Sequence, residues 1–280
     1  MTNRPIEYIV KNQKPLIVSA DDTVRSACRL MRERGAGSVL VIDGKGRLAG
    51  IFTGRDAVRL LAKGADADRT PLAQAMTRHP AVVGPKSSAI DALRVMAERD
   101  CRHVPVVEHG TIHGVVSRRD LKGMELEEFA RRQTGRPTGA TLDRKLTDVI
   151  GKAKPFMLSP EKTVQEACRS MRRRRCGYVL VLDSGSHLKG IFTGRDAVRV
   201  IAEGKDAAHV RLSNAMTKDP VTISPTCHAI EALRMMNDGG WRHLPVVDNG
   251  KVLGVVTRGD FTGIEVDRLD EEEHLKECIW

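Results

Sequence analysis

The sequence predicts an α/β protein built from four copies of one β-α-β-β-α unit. Three observations predict it. The string Gly50-Ile51-Phe52-Thr53-Gly54-Arg55-Asp56 returns unchanged at Gly190 to Asp196. Looser copies stand at Gly114 to Asp120 and Gly254 to Asp260. The spacing is regular: Gly50 to Gly190 and Gly114 to Gly254 are each 140 residues, and Gly50 to Gly114 is 64. A 64-residue period exceeds the roughly 20–50 residues of a solenoid repeat, so each copy is a small α/β unit of its own.

Each element of the first unit follows from its residues. Pro15 to Val18 is a short apolar strand. Ser19 to Asp22 supply turn and N-cap residues. Val24, Ala27, Cys28, Leu30 and Met31 recur at helical spacing, with Arg25, Arg29, Arg32 and Arg34 on the other face. Gly35 and Gly37 stop that helix. Ser38 to Ile42 is a buried strand, Asp43 to Gly46 a hairpin turn, and Leu48 to Thr53 the returning strand. A second helix runs from Gly54 through Ala57, Val58, Leu60 and Leu61 to about Gly64.

The second unit repeats the scheme after Met76. It has a strand at Ala81 to Val83, a helix from Ser88 to Arg99, strands at His103 to Val107 and up to Ser117, and a helix from Arg118. The units are expected at 7–64, 72–124, 147–204 and 212–264. Residues 125–145 form a linker, in which Glu125 to Ala130 read as a continuing helix and Gln133 to Thr141 as coil. Residues 265–280 form an acidic, helical tail.

Composition narrows the class. At 280 residues the chain has room for about two ordinary domains. Hydrophobic residues make up 41% but aromatics only 3%, so the cores must be aliphatic. No apolar run approaches the roughly 20 residues of a membrane span, and Met1 to Lys14 lacks the apolar centre of a signal peptide, so a cytoplasmic location is expected. The six cysteines include no Cys-x-x-Cys pair; Cys28 and Cys168 occupy equivalent helical positions and read as buried free thiols. His103, His109 and His113 surround one hairpin without metal-ligand spacing, so no metal is expected. Neither a Walker loop nor a nucleophile elbow is present, and no enzymatic activity is expected. The net charge of +10 is distributed through the repeats and points to anionic partners.

With these motifs the chain resembles the CBS (cystathionine-β-synthase-type) domain family. Met76-Thr77 before Pro80 and Met216-Thr217 before Pro220 resemble the opening of such a domain. Arg102-His103-Val104-Pro105-Val106-Val107 and Arg242-His243-Leu244-Pro245-Val246-Val247 resemble its second strand. The Gly-x-x-[Ser/Thr]-x-x-Asp runs resemble its ligand-binding signature. The resemblance covers about 250 residues. It implies four CBS units paired through their sheets into two pseudo-twofold Bateman modules, with clefts for adenosyl compounds: AMP, ADP, ATP or S-adenosylmethionine. It also implies that occupancy is reported to a partner such as an enzyme or transporter.

Residue chemistry fits such a ligand. Thr53, Ser117, Thr193 and Thr257 end a strand at a helix start, where unpaired N–H groups and the helix dipole favour phosphate. Gly54 and Gly194 would let a ligand approach the backbone; simple N-capping is the competing account of the hydroxyls. Asp56, Asp120, Asp196 and Asp260 can accept from both ribose hydroxyls or merely complement the dipole. Arg55, Arg119 and Arg195 can grip phosphate, whereas the fourth unit has Gly259 at that place. The resemblance places Arg102, His103, Arg242 and His243 beside phosphates; surface ion pairing is the alternative. The odd units carry Gly37-Ser38 and Gly177-Tyr178 there, so unequal clefts are expected. Arg172 to Arg175 read as a solvated face.

Three functions remain: a standalone adenosyl-nucleotide sensor, a nucleic-acid or polyanion binder using arginine faces, and a nucleotide-independent adaptor. The modules are expected either to stack into an intrachain disk or to pair between chains as a homodimer.

Overall fold

The computed structural model describes residues 3–134, 144–151 and 154–269. The first unit contains α1 (Ile6–Val10), β1 (Ile17–Ser19), α2 (Val24–Glu33), β2 (Ser38–Ile42), β3 (Leu48–Thr53) and α3 (Gly54–Lys63). The second contains α4 (Leu72–Ala75), β4 (Thr77–Arg78), α5 (Ala89–Glu98), β5 (His103–Glu108), β6 (Thr111–Ser117) and α6 (Gly123–Thr134). The third repeats the first with α7 (Leu146–Val149), β7 (Met157–Leu158), α8 (Val164–Arg174), β8 (Tyr178–Leu182), β9 (Leu188–Thr193) and α9 (Gly194–Ala202). The fourth has β10 (Thr217–Lys218), α10 (Ala229–Asp238), β11 (His243–Asp248), β12 (Lys251–Thr257) and α11, helical over 263–269.

Local chemistry sets these limits. Thr23 caps α2 by accepting from the Ser26 N–H at 3.2 Å, and Ser88 and Thr163 form capping boxes with Asp91 and Glu166. The β2–β3 hairpin closes where Asp43 Oδ1 accepts from the N–H groups of Lys45 and Arg47, both at 2.9 Å. α3 ends on Gly64 in the left-handed region, φ +70°.

β1 lies parallel to β2, and β2 and β3 are antiparallel. The fourth strand of that sheet, β4, belongs in sequence to the second unit; it pairs with β3 at Gly50 and Ile51. α1 makes the reverse journey: Ile6 and Val10 lie in the second unit's core with Leu93, Val104, Val106 and Val116. The second module repeats both moves through β10 and Leu146. The glycine that opens each motif is thereby explained. A Cβ on Gly50 or Gly190 would strike Met76 or Met216; on Gly114 or Gly254 it would strike Val10 or Ile150. Each lead-in segment rests on the neighbouring unit's motif glycine.

Two expected elements differ. The strand at Ala81 to Val83 is reduced to one parallel bridge, Val83 to Val106, between Pro80 on one side and Gly84-Pro85 on the other. No α-helix starts at Arg118. Residues Arg118–Asp120 form one 3₁₀ turn, Leu121 is extended (φ −101°, ψ 135°) so that its side chain can enter the core, and α6 begins at Gly123. The linker reading also shortens, because α6 reaches Thr134. Residues 135–141 and the tail beyond 269 lie outside the described residues.

The odd units share one core. Side chains of α2, α3, α8 and α9, among them Met31, Leu60, Leu61, Met171, Val200 and Ile201, form a continuous aliphatic cluster. Cys28 and Cys168 are buried in it as free thiols, and burial pushes each up to about 12. Arg29 Nε donates to the Ala202 carbonyl at 3.3 Å and Arg169 Nε to the Ala62 carbonyl at 3.0 Å. At the centre Gly54 and Gly194 touch backbone to backbone; a Cβ on Gly54 would lie 2.9 Å from the Gly194 carbonyl oxygen. The even units meet through Gly123 and Gly263, where the Met124 N–H donates to Asp267 Oδ1 at 2.6 Å. The modules thus stack within one chain. Among the described residues no helix is long and apolar enough to cross a membrane.

Substitution at the central contact tests this packing. Gly54→Val with Gly194→Val should lower unfolding free energy by about 1–3 kcal/mol per site, the ordinary range for overpacking, and enlarge the radius of gyration in small-angle scattering. Gly44→Val, with open space around it, should change neither.

Candidate functional site

The four motif aspartates fall into two kinds. Asp56 is 2% exposed and Asp196 3%. Asp56 Oδ2 accepts from the N–H and hydroxyl of Thr53, both at 2.8 Å, while Oδ1 accepts from Arg59 at 2.7 Å and Thr77 at 3.0 Å. Asp196 repeats the set with Thr193, Arg199 and Thr217. Both carboxylates thus cap a helix and fasten β4 or β10 to the neighbouring unit. The sequence reading left them open to a ribose; here their oxygens are taken by protein donors.

The even units differ. Asp120 Oδ2 accepts from the Ser117 N–H at 2.6 Å and hydroxyl at 2.8 Å, and Asp260 Oδ2 does the same with Thr257 at 2.6 and 2.9 Å. Their Oδ1 atoms accept no hydrogen bond from a described residue. The reason lies three residues on, where Arg59 and Arg199 are replaced by Gly123 and Gly263.

The glycines after Thr53 and Thr193 also act otherwise than expected. The space in front of Gly54 is filled by the Gly194 backbone, not left for a ligand. Thr53 and Thr193 are N-caps whose hydroxyls accept from the N–H groups of Arg55 and Arg195 at 3.2 Å.

The starts of β2, β5, β8 and β11 converge. Arg242 Nη2 lies 3.2 Å from His103 Nε2, a contact between the two modules. A Cβ on Gly37 would stand 3.1 Å from His103 Nε2 and 3.3 Å from Arg242 Nη2; one on Gly177 would stand 3.3 Å from Arg102 Nη2 and 3.4 Å from His243 Nε2. The uncharged positions of the odd units therefore make room for the charged pairs of the even ones. Tyr178 packs on His243 with ring centroids 5.3 Å apart.

Electrostatics there are one-sided. Burial first, then Arg242 and Arg102, depress His103 to about 3; burial, Arg102 and Arg242 do the same to His243. Both imidazoles are neutral at physiological pH. Burial, with Arg102, Arg119, Arg195 and Arg258 around it, brings Arg242 down to about 10. Burial and then Arg55 lower Arg102, against a small opposing effect of Asp100. Arg55 reaches Asp100, its Nη1 lying 3.1 Å from Oδ2, whereas Arg195 in the second module meets only the Gly240 carbonyl, at 3.2 Å. Arg102, Arg119, Arg195 and Arg242 form no ion pair with a described residue. Such a group of guanidiniums calls for an anion. No cluster of metal-binding side chains is found among the described residues.

Sequence reasoning missed the partners of Asp56 and Asp196, although Arg59 and Arg199 stand one helical turn after them and signalled the pairing. It also missed Asp100 and Gly240, which lie in turns with no motif of their own.

Two outcomes follow. Asp56→Ala with Asp196→Ala should destabilise the fold by roughly 2–4 kcal/mol in urea unfolding, because the donors of Thr53 and Thr77 lose buried acceptors. A pair of neutral histidines makes the fold acid-sensitive. The unfolded chain takes up their protons below about 6.5 while the folded chain does not, so stability falls as pH drops from 6.5 to 5. The slope per histidine is about 1.4 kcal/mol per pH unit. His103→Gln with His243→Gln should flatten it in unfolding curves across that window.

The CBS domain family profile matches residues 7–63, 72–125, 147–203 and 211–266. CBS domain-containing protein CBSCBSPB3 of Arabidopsis thaliana is 29% identical over 271 residues, covering 84% of this chain and 48% of that protein. CBSCBSPB2 of the same plant is 30% identical over 260 residues, covering 84% and 48%. The meiotically up-regulated gene 70 protein of Schizosaccharomyces pombe is 27% identical over 337 residues, covering 96% and 46%. The chain spans about half the length of these curated relatives. Protein MJ1225 from Methanocaldococcus jannaschii has the same fold, with a TM-score of 0.74 at 18% identity, covering 92% of this chain and 98% of that one. With four matched copies spread over most of its length, arranged as two modules of paired units, the chain belongs to the CBS domain family.

Proposed function

We propose that this chain is a regulatory binding protein, not an enzyme, and that its ligand is an adenosine nucleotide with phosphates at the meeting point of the four units. The observation that carries this reading is the convergence of Arg102, Arg119, Arg195 and Arg242, with His103 and His243, none of these arginines forming an ion pair with a described residue. A guanidinium grips phosphate strongly and in a defined direction. The same field disfavours S-adenosylmethionine, whose sulfonium is positive.

The rest of the nucleotide has candidate contacts. Asp120 and Asp260, with Oδ1 open, are the better ribose acceptors; Asp56 and Asp196 are kept for the fold. Ser117 and Thr257 hold those carboxylates in place. An apolar side chain stands uncovered two residues after a proline in β1, in the stretch before α5 and in β7: Ile17 at 44% exposure, Val82 at 45% and Met157 at 42%. A purine face packs well on such groups.

A ligand gripping residues of both modules stabilises the packing that brings those residues together. Its effect is set by its differential affinity for that packing. The regulated partner would be an enzyme or transporter that reads it.

The nucleic-acid reading is less favoured. The central arginines are gathered around Arg242 at one small meeting point instead of spread along a face, and the exposed run Arg172 to Arg175 sits apart, with Arg174 stacked 4.7 Å over Phe156.

Calorimetric titration with AMP, ADP and ATP at fixed ionic strength tests the proposal. Binding should appear below 1 mM, on the order of 4 kcal/mol or more. Arg102→Gln with Arg242→Gln should abolish it, and Asp120→Asn with Asp260→Asn should weaken it at least tenfold. Absence of binding by every adenylate, or affinity indifferent to these changes, would overturn it.

A further inference from the structure

One turn differs between the modules in a way that changes the charge around it. In the first module Asp100 precedes β5, with φ +46°, and takes Arg55. In the second the equivalent residue before β11 is Gly240, with φ +63°. It offers Arg195 only a carbonyl, and Arg119 of the second unit lies 3.6 Å from where a Cβ on Gly240 would stand. The place of Arg119 is taken in the fourth unit by Gly259. Arg55, Asp100 and Gly259 together carry no net charge; their counterparts Arg195, Gly240 and Arg119 carry two positive ones.

Beside Gly240 a cavity of about 520 Å³ opens between the second and fourth units. Arg118, Arg119 and Arg258 line it, with aliphatic walls that include Leu121 and Leu233. Asp238 is the one carboxylate in its lining. The corresponding side of the odd units is occupied by the shared helical core. Burial lowers Arg118, with Asp260 acting in the opposite sense.

We propose that this cavity seats a linear polyphosphate, and that Gly240, standing where the first module has Asp100, is the residue that admits it. The inference rests on the reading of the centre as an anion site and specifies the ligand class. A monophosphate brings at most about two negative charges, too few for Arg118, Arg119 and Arg258 in the lining and Arg195 at the Gly240 carbonyl, even after Asp238 is subtracted. A chain of three phosphates brings more and can touch several guanidiniums at once. Two sources share this chemistry: the tail of a nucleoside triphosphate and free inorganic polyphosphate.

The test is calorimetric titration of the full chain with sodium tripolyphosphate, ATP and AMP in turn, at constant ionic strength. One tripolyphosphate site is expected. Gly240→Asp places a carboxylate in the backbone conformation that Asp100 already holds, and should weaken tripolyphosphate and ATP at least tenfold but AMP less than threefold. Arg119→Gln, which leaves the Gly240 turn unchanged, should act in the same direction. ATP binding tenfold tighter than tripolyphosphate would identify a nucleotide tail; equal affinities would identify free polyphosphate. If AMP binds and tripolyphosphate does not, the polyphosphate site is refuted while the nucleotide reading stands. If both variants keep wild-type affinity for tripolyphosphate and wild-type melting curves, Gly240 has no such role. If neither AMP nor tripolyphosphate binds, both readings fall.

Discussion

The structure depends on the aliphatic core shared by α2, α3, α8 and α9. It is the contact between modules in which large apolar side chains from both fuse into one cluster, and it fixes the rest by rigid geometry. Once the odd units are locked face to face, with Gly54 against Gly194, the even units are brought together as well. An arginine and a histidine that sequence separates by 139 positions, Arg242 and His103, then lie at hydrogen-bond distance. Holding like charges close together is unfavourable on its own. Hydrophobic packing on one side holds together an electrostatically frustrated group on the other, and a frustrated group of cations is what an anionic ligand can relieve.

A division of labour follows between odd and even units. The odd copies put their motif aspartate to structural use, held by Arg59 or Arg199 and by the threonine of the neighbouring lead-in strand. The even copies keep one carboxylate oxygen uncommitted and interrupt the helix after a single turn. The same seven-residue pattern therefore serves two ends, and the deciding residue lies outside it: an arginine three positions after the aspartate, or a glycine.

Much of the fold was legible because the repeat is written in strong signals. The continuous apolar run ending at Ile42, helical spacing in Val24 to Met31 and the turn chemistry of Asp43 are local signals that the third unit restates at Leu182, Val164 to Met171 and Asp183. The exchange of lead-in segments was not legible. Leu72–Ala75 and Thr77–Arg78 are too short to carry a period, and nothing local says which sheet a two-residue strand joins. The 3₁₀ turn after Ser117 was read as a helix because Leu121 fits a helical pattern while being drawn into the core from an extended backbone. At the site, the residue types that gather at the centre could be named, but the assignment of Asp56 and Asp196 depended on contacts with Thr77 and Thr217 across unit boundaries. Asp100 and Gly240 gave no signal, since their meaning is a distance to arginines on other units.

The crossed lead-in segments bear on how the molecule is born and how it comes apart. Arg4 forms a two-pronged ion pair with Glu125, at 2.8 and 3.0 Å, and Arg144 does so with Glu265, at 2.9 and 2.8 Å. In both pairs a module's leading residues wait for a helix made some 120 positions later. On the ribosome the first unit emerges missing its fourth strand, and Ile6 and Val10 have no core to join until the second unit follows. The smallest piece with every lead-in segment in place is therefore a couple of units, so a duplication that keeps these exchanges must copy units in twos.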